Sequence, residues 1–278
     1  MDKRSLKPSG KNSEKEFIKI ENLSKVFGTK KDKVTALQNI NLSIKKREFT
    51  VIVGPSGCGK STLLYLVAGF LNPTSGKIHI DNKQVKKPGP DRGFVFQDFA
   101  LFPWKTVLGN IMFGLKYTKK SHNEMKKIAL EYISMIGLEG FENAFPHTLS
   151  GGMKQRVGIA RALAYQPKVV LMDEPFGALD AQTRKHMQGE LMNIWEKNHL
   201  NVLFVTHSVI EAVYLADKIY VITARPGEIK GIVDVKIPRP RDYSDDAFLN
   251  VRKQVLDMLN EEVEKSMVQK KEAIKENI

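Results

Sequence analysis

The chain has 278 residues, of which 42% are apolar and 27% charged, near average globular usage, which excludes wholesale disorder and collagen-like repeats and suits one large domain with an inserted lobe or two domains. Its longest uncharged apolar runs, Phe49–Val53 and residues 169–172, fall far short of the roughly 18–20 residues that cross a bilayer, so no membrane span is expected. The formal net charge of +13 suits a nucleic acid, an anionic membrane face or a lysine-rich solvated surface; the lysines are scattered among Glu and Asp, and no aromatic-plus-basic groove accompanies them, so a solvated surface is expected and no nucleic-acid partner.

Residues 1–15 are basic and polar, with Lys3, Arg4, Lys7, Lys11 and Lys15 around Pro8, Ser9 and Gly10. They read as a disordered tail, and with no apolar segment after them a secretory leader is not expected. Phe17, Ile18, Ile20 and the pair Val26 and Phe27 predict short strands broken at Asn22 and Gly28, and Leu37, Ile40, Leu42 and Ile44 extend them into an N-terminal antiparallel β layer. Phe49–Val53 is a buried strand ending at Gly54, and a helix over 61–71 follows, stopped by Asn72 and Pro73.

From about 98 to 165 the texture is helical. Val107, Ile111 and Leu115 fall at i, i+4 and i+8, and Ser121 with Glu124 forms a capping box before Met125, Ile128 and Tyr132. This predicts an inserted helical lobe. A strand over 168–172, a helix with Met187, Leu191, Ile194 and Trp195 on one face, and strands at Asn201–Thr206 and 218–223 follow, and a Pro226-Gly227 turn and the stretch 229–237 finish the body. Such alternation predicts an α/β fold with a mostly parallel sheet. Beyond Pro238 and Pro240 an amphipathic helix carrying Phe248, Val251, Val255 and Leu259 runs into a mixed-charge tail expected to fray. The expected division is a tail (1–15), a body (16–240, lobe about 98–165) and a C-terminal helical tail (241–278).

The chemistry concentrates in three segments. Gly54-Pro55-Ser56-Gly57-Cys58-Gly59-Lys60-Ser61-Thr62 has the spacing of a phosphate-binding loop, with the required strand before it and helix after it. Its glycines let backbone N–H groups wrap phosphates, the helix N-terminus adds positive potential, Lys60 reaches the β and γ phosphates, and Ser61 ligates Mg²⁺. Downstream, an apolar strand delivers Asp173 and Glu174 at its C-terminal end, where open α/β sheets bind ligands. Asp173 is the expected holder of Mg²⁺, and Glu174 the expected general base for the attacking water. The third segment, Leu149-Ser150-Gly151-Gly152-Met153-Lys154-Gln155-Arg156, opens a helix with a serine hydroxyl and two glycines, a second anion-binding terminus far from the first in sequence.

This third segment makes the chain resemble the ATP-binding cassettes of ABC transporters, a P-loop NTPase (RecA-like) fold. Met153 and Lys154 stand where Gln-Gln or Gln-Arg is common in that family, leaving the serine and glycines intact. The resemblance spans about residues 16–240 and implies ATP and Mg²⁺ as cofactors. It also implies a head-to-tail dimer of two copies, in which each ATP lies between one chain's phosphate loop and the other's Ser150, Gly151 and Gly152. By the same resemblance, Gln97 senses Mg²⁺ or water, Asp180 lies on the loop crossing the dimer interface, His207 contacts the γ phosphate, and Phe27 stacks on adenine.

Pro88-Gly89-Pro90-Asp91-Arg92-Gly93, Phe102-Pro103-Trp104, Ala224-Arg225-Pro226-Gly227-Glu228-Ile229 and Ile237-Pro238-Arg239-Pro240-Arg241 resemble the branch importing nitrate, sulfonates, taurine and bicarbonate, which also includes pyrimidine-precursor importers. That branch implies an ATPase at the cytoplasmic face of the membrane, an integral-membrane permease and an extracytoplasmic substrate-binding protein. An exporter cassette shares the motifs. A soluble ABC protein acting on nucleic acid would carry tandem cassettes, zinc insertions or coiled coils, which this sequence does not show. A P-loop kinase gives no reason for residues 149–156.

Two side chains carry further expectations. The apolar crowd of Phe99, Leu101, Phe102 and Trp104 next to Gln97 predicts a permease-docking surface, against a role for Trp104 in the lobe's core. Cys58, the single cysteine, cannot form an intrachain disulfide, in keeping with a cytosolic home. The helix N-terminus and Lys60 favour its thiolate and predict a reactive thiol, against the alternative of a packed, inert one.

Overall fold

The computed structural model describes residues 16–29 and 32–275; the expected disordered tail lies outside them. The period-two pattern near the N-terminus forms two long strands, β1 (Glu16–Phe27) and β2 (Val34–Lys45), which bury Ile18, Ile20, Leu23, Leu37, Ile40, Leu42 and Ile44. The break expected at Asn22 does not occur. The strand runs on through a register shift between Ile20 and Leu23, and Asn22 takes a φ of 49°, a left-handed conformation that Asn tolerates at a bulge. With β4 (Ser75–Ile80) and β5 (Lys83–Gln84) these strands make an antiparallel sheet of order β2-β1-β4-β5.

The second sheet contains β3 (Phe49–Val53), β6 (Arg92–Val95), β7 (Val169–Asp173), β8 (Asn201–Thr206), β9 (Lys218–Ile222) and β10 (Ile229–Asp234), in the order β10-β9-β3-β8-β7-β6. All its pairings are parallel except that of β10 on the outer edge of β9. Every residue of β3, β7 and β8 is buried, as expected where both faces of a parallel sheet are covered. Alternate side chains choose the face. Ile52, Leu171, Leu203 and Val205 pack with the antiparallel sheet and α1 (Lys60–Ala68); Val51, Val53, Val170, Met172 and Phe204 pack with the remaining helices. Tyr220 ties the layers, its hydroxyl donating to the Ser43 carbonyl at 2.8 Å.

Helix α1 stops at Ala68, short of the expected residue 71. Gly69 adopts φ 80° and returns its N–H to the carbonyls of Tyr65 and Leu66, a left-handed glycine cap that ends the helix before Pro73 can. Between β6 and β7 lie α2 (Val107–Leu115), α3 (His122–Met135) and α4 (Gly151–Leu163), capped by Thr106, Ser121 and Ser150. The Ser121–Glu124 capping box is formed on both sides. After β7 come α5 (Ala181–Asn198), α6 (Val209–Leu215) and α7 (Asp246–Lys275). Helix α7 sends Phe248 and Val255 into the main core.

Arg241 fastens the segment leading to α7. Its buried guanidinium donates to the carbonyls of Val213, Ala216 and Tyr214 at 2.7, 2.7 and 3.0 Å, and to that of Ile237 at 3.1 Å. Burial lowers its pKa to about 10. No helix among the described residues is long and apolar enough to cross a membrane.

Candidate functional site

The parallel strands end along one edge of the sheet, and there the sequence places its polar residues: Gly54 after β3, Gln97 after β6, Glu174 after β7 and His207 after β8. The loop from Gly54 to Gly59 turns the chain from β3 into α1 through positive φ at Gly57 (76°) and Gly59 (101°), where a β-carbon would be strained. Lys60 is 5% exposed. Its Nζ folds back over the loop and donates to the carbonyls of Gly54 at 2.9 Å and Pro55 at 3.0 Å.

Two carboxylates meet this loop differently. Asp173, buried, accepts a hydrogen bond from Ser61 Oγ at 2.9 Å, and burial pushes its pKa above the ordinary value, outweighing the Ser61 bond. Glu174 has φ 44°, a left-handed turn that reverses its side chain relative to Asp173, and its N–H donates to the Val205 carbonyl at 3.0 Å. The Glu174 carboxylate then bridges two cationic or switchable groups, with Lys60 Nζ 3.7 Å from one oxygen and His207 Nδ1 2.8 Å from the other. Behind His207, Thr206 Oγ1 donates to buried Glu211 at 2.7 Å, whose pKa is raised chiefly by burial.

A cleft of about 460 Å³ opens over this constellation, lined by Phe27, Val34, Ala36, Ser56, Gly57, Gly59, Lys60, Ser61, Thr62, Gln97, Glu174 and Arg225. It brings together phosphate-loop residues, the carboxylate and the aromatic that the sequence singles out. Phe27 is 39% exposed, so a core role for it is excluded; Lys25 Nζ lies 4.9 Å from its ring centroid. Val34, Ala36 and Arg225 are additions. In the sequence Arg225 stands out only as part of the Ala224-Arg225-Pro226-Gly227 turn, which resembles one branch and carries no sign of contact with the phosphate loop.

The expectation of a reactive thiol at Cys58 is corrected. Cys58 is 1% exposed within the core beneath the loop, and burial raises its pKa by more than the opposing attraction of Lys60 lowers it. Conversely, Trp104 is 70% exposed, which removes it from the lobe's core.

Ser150, Gly151, Gly152 and Asp180 do not line the cleft of their own chain. Ser150 caps α4, its Oγ accepting from the Met153 N–H at 3.2 Å, which leaves the hydroxyl proton free to donate. Asp180 caps α5 in the same way, accepting from the Thr183 N–H at 2.9 Å, and that bond holds its carboxyl below the usual range.

The ABC transporter family matches residues 37–177. The aliphatic sulfonates import ATP-binding protein SsuB of Bacillus cereus is 45% identical over 239 residues, covering 86% of this chain and 94% of that protein. The chain belongs to the ABC transporter ATP-binding family. The nitrate import ATP-binding protein NrtD of Synechocystis is 50% identical over 221 residues, covering 80% of this chain and 83% of its own. Among solved structures, the dimeric post-hydrolysis state of the ATP-binding cassette MJ0796, bound to ADP and Pi, matches with a TM-score of 0.72 and 36% identity, over 80% of this chain and 100% of that one. The protein is thus an ATP-binding ABC ATPase with the P-loop NTPase fold, its parallel sheet backed by an antiparallel layer.

Proposed function

We propose that this cassette is the ATP-hydrolysing subunit of an importer. In this reading two copies close head to tail over two ATP molecules and drive a separate permease at the cytoplasmic face of the membrane, and an extracytoplasmic binding protein supplies the cargo. The observation that carries it is the Lys60–Glu174–His207 bridge beside the Ser61–Asp173 pair, at the mouth of a cleft sized for a nucleotide.

Gly54, Pro55, Ser56, Gly57, Cys58 and Gly59 contribute backbone to the phosphates, Lys60 its ammonium, Ser61 and Thr62 their hydroxyls, and Phe27 a face for adenine. Ser61, Asp173 and Gln97 offer oxygen donors suited to Mg²⁺, a hard cation that takes few protein ligands and keeps its waters. When bound there, Mg²⁺ would supply neutralisation of charge on the β and γ oxygens. Asp173, with its raised pKa, must ionise to serve. Glu174 orients and deprotonates the attacking water, and His207, hydrogen-bonded to it, contacts the γ phosphate. Ser150, Gly151, Gly152 and Asp180, remote from their own cleft, complete the cleft of the second copy.

The permease reading draws support from a groove of about 580 Å³ between the sheet and the helical lobe, lined by Phe94, Phe96, Phe102, Phe113, Tyr165 and Arg161 among others. Trp104 stands at its side, 5.6 Å from the Phe102 ring. Apolar surface of this kind, next to Gln97, suits a docked permease segment. SsuB and NrtD, named for different cargoes, match at 45% and 50% identity, in keeping with cargo choice residing in the partners. Within the class, nitrate, sulfonates, taurine, bicarbonate and related small organic substrates are the candidates.

The test is expression of this chain with a candidate permease and binding protein in cells that lack their own uptake of the cargo. ATP-dependent accumulation of one such cargo inside those cells, lost in Lys60→Ala, is expected. ATP-driven efflux would replace the importer by an exporter.

A further inference from the structure

Arg225 stands on the turn between β9 and β10, and that turn is built against the phosphate loop. Thr223 closes it, its N–H donating to the Glu228 carbonyl at 2.9 Å and its hydroxyl to the Pro226 carbonyl at 2.8 Å. Gly227 then pins it to β2: its N–H donates to the Ala36 carbonyl at 3.0 Å, and its carbonyl accepts from the Gln38 N–H at 3.0 Å. Gly227 lies so close to the loop that any side chain there would collide with the Cys58 carbonyl. Arg225 is therefore an exposed side chain on a fixed base.

From that base its Nε donates to the Gly57 carbonyl at 3.2 Å. The guanidinium lies over Gly57, where an added β-carbon would be 3.3 Å from Nη2. Neither terminal nitrogen has a protein acceptor among the described residues, and no carboxylate among them pairs with Arg225.

Two consequences follow for a nucleotide. In a trans peptide the carbonyl and the following N–H point oppositely, so capturing the Gly57 carbonyl from outside turns the Cys58 N–H inward. That N–H makes only a long bond of 3.4 Å to the Pro55 carbonyl and is available to a better acceptor. The charge balance of the cleft points the same way. Of its lining cations, Lys60 faces the Glu174 carboxylate at 3.7 Å, whereas Arg225 is uncompensated. A guanidinium held by one nitrogen presents its remaining fork with little ordering cost, the geometry that suits phosphate.

We propose that Arg225 is a nucleotide-binding residue that contacts the phosphate chain with its terminal nitrogens while its Nε holds the phosphate loop in shape. This rests on the reading of the cleft as the ATP site.

The test is calorimetric titration of the full-length chain with ATP, ADP and AMP, for the wild type, Arg225→Ala, Arg225→Lys, Arg225→Gln and Lys60→Ala. Arg225→Ala is expected to weaken ATP and ADP by about 10-fold and AMP by less than about 3-fold, with the difference shrinking as salt is raised. Arg225→Lys, which keeps the charge but neither the fork nor the Gly57 bond, should recover at most part of the ATP affinity lost in Arg225→Ala. Arg225→Gln can still donate to Gly57 without a charge and should stay near the alanine variant, so it carries the test if Arg225→Ala melts early. Unchanged ATP affinity in Arg225→Ala and Arg225→Gln, with a large loss in Lys60→Ala, would overturn the role of Arg225 and leave the cleft reading standing. Unchanged affinity in Lys60→Ala would overturn the cleft reading itself. Equal losses for AMP and ATP would reduce Arg225 to a prop for the loop and overturn the phosphate contact.

Discussion

His207 Nδ1 lies 2.8 Å from one oxygen of Glu174, and the other oxygen of that carboxylate faces Lys60 Nζ at 3.7 Å. One carboxylate thus joins the residue that follows β8 to the residue that opens α1, across the edge of the sheet where the cleft opens. Its backbone, at φ 44°, sets it apart from Asp173, which is committed to Ser61.

Because Glu174→Gln keeps the shape of the side chain but not its charge, and cannot take a proton, ATP binding is expected to stay within about 3-fold while turnover falls by about 10²–10⁴-fold. Steady-state phosphate release and equilibrium titration measure the two. Near-normal turnover would remove Glu174 from the role of base.

Asp173 is a buried carboxylate whose pKa is raised by burial. An acid with a raised folded-state pKa binds its proton more tightly when folded, so its effect on stability worsens as pH rises from the unfolded value through the folded one. Asp173→Asn is therefore expected to melt higher than wild type near pH 7 without nucleotide, the gap closing toward pH 4, while losing ATPase activity. A gain of about 1 kcal/mol would move Tm by roughly 2–4 °C in a chain of this size. A variant that melts lower at pH 7 would contradict this.

Trp104 is 70% exposed at the side of the aromatic groove. Trp104→Ala should leave ATP affinity and the Tm of the isolated chain near wild type, since an exposed substitution costs within about 0.5 kcal/mol. Recovery of the complex in co-purification with the permease should fall severalfold. Full recovery would move the docking surface elsewhere.

Arg241 donates to a ring of backbone carbonyls that no other side chain among the described residues bonds. Arg241→Ala leaves the buried carbonyls of Val213 and Ala216 without this donor, which should cost on the order of 3 kcal/mol, visible in chemical denaturation. A change below about 1 kcal/mol would show that water replaces the guanidinium at little cost.

Local features of this fold are legible from residues alone. The phosphate loop between β3 and α1, the Asp173–Glu174 pair and His207 each depend on a few neighbouring residues and the strand that delivers them. The Ser121–Glu124 capping box is likewise a local pattern. What the sequence hides depends on distant pairing. Arg225 reaches the loop because β9 lies beside β3 in the sheet, a neighbour relation that spacing does not reveal. Helix α1 ends earlier than expected because Gly69 caps it before Pro73 is reached, and the expected break at Asn22 is a bulge. Cys58 departs from expectation because burial dominates both the helix N-terminus and Lys60. A maleimide should accordingly leave Cys58 unmodified in the folded protein and modify it in denaturant, as read by intact mass; rapid labelling of the folded protein would contradict the buried geometry.

The composite two-chain site is tested most directly by the solution mass of Glu174→Gln at saturating Mg-ATP, alone and combined with Ser150→Phe. If Ser150 of one copy completes the cleft that holds Lys60 and Glu174 in the other, Glu174→Gln should shift from 31.4 kDa to twice that mass with two ATP retained per dimer, while the double variant binds ATP but remains a monomer. A Glu174→Gln protein that stays monomeric with ATP bound, or a double variant that dimerises equally well, would contradict it.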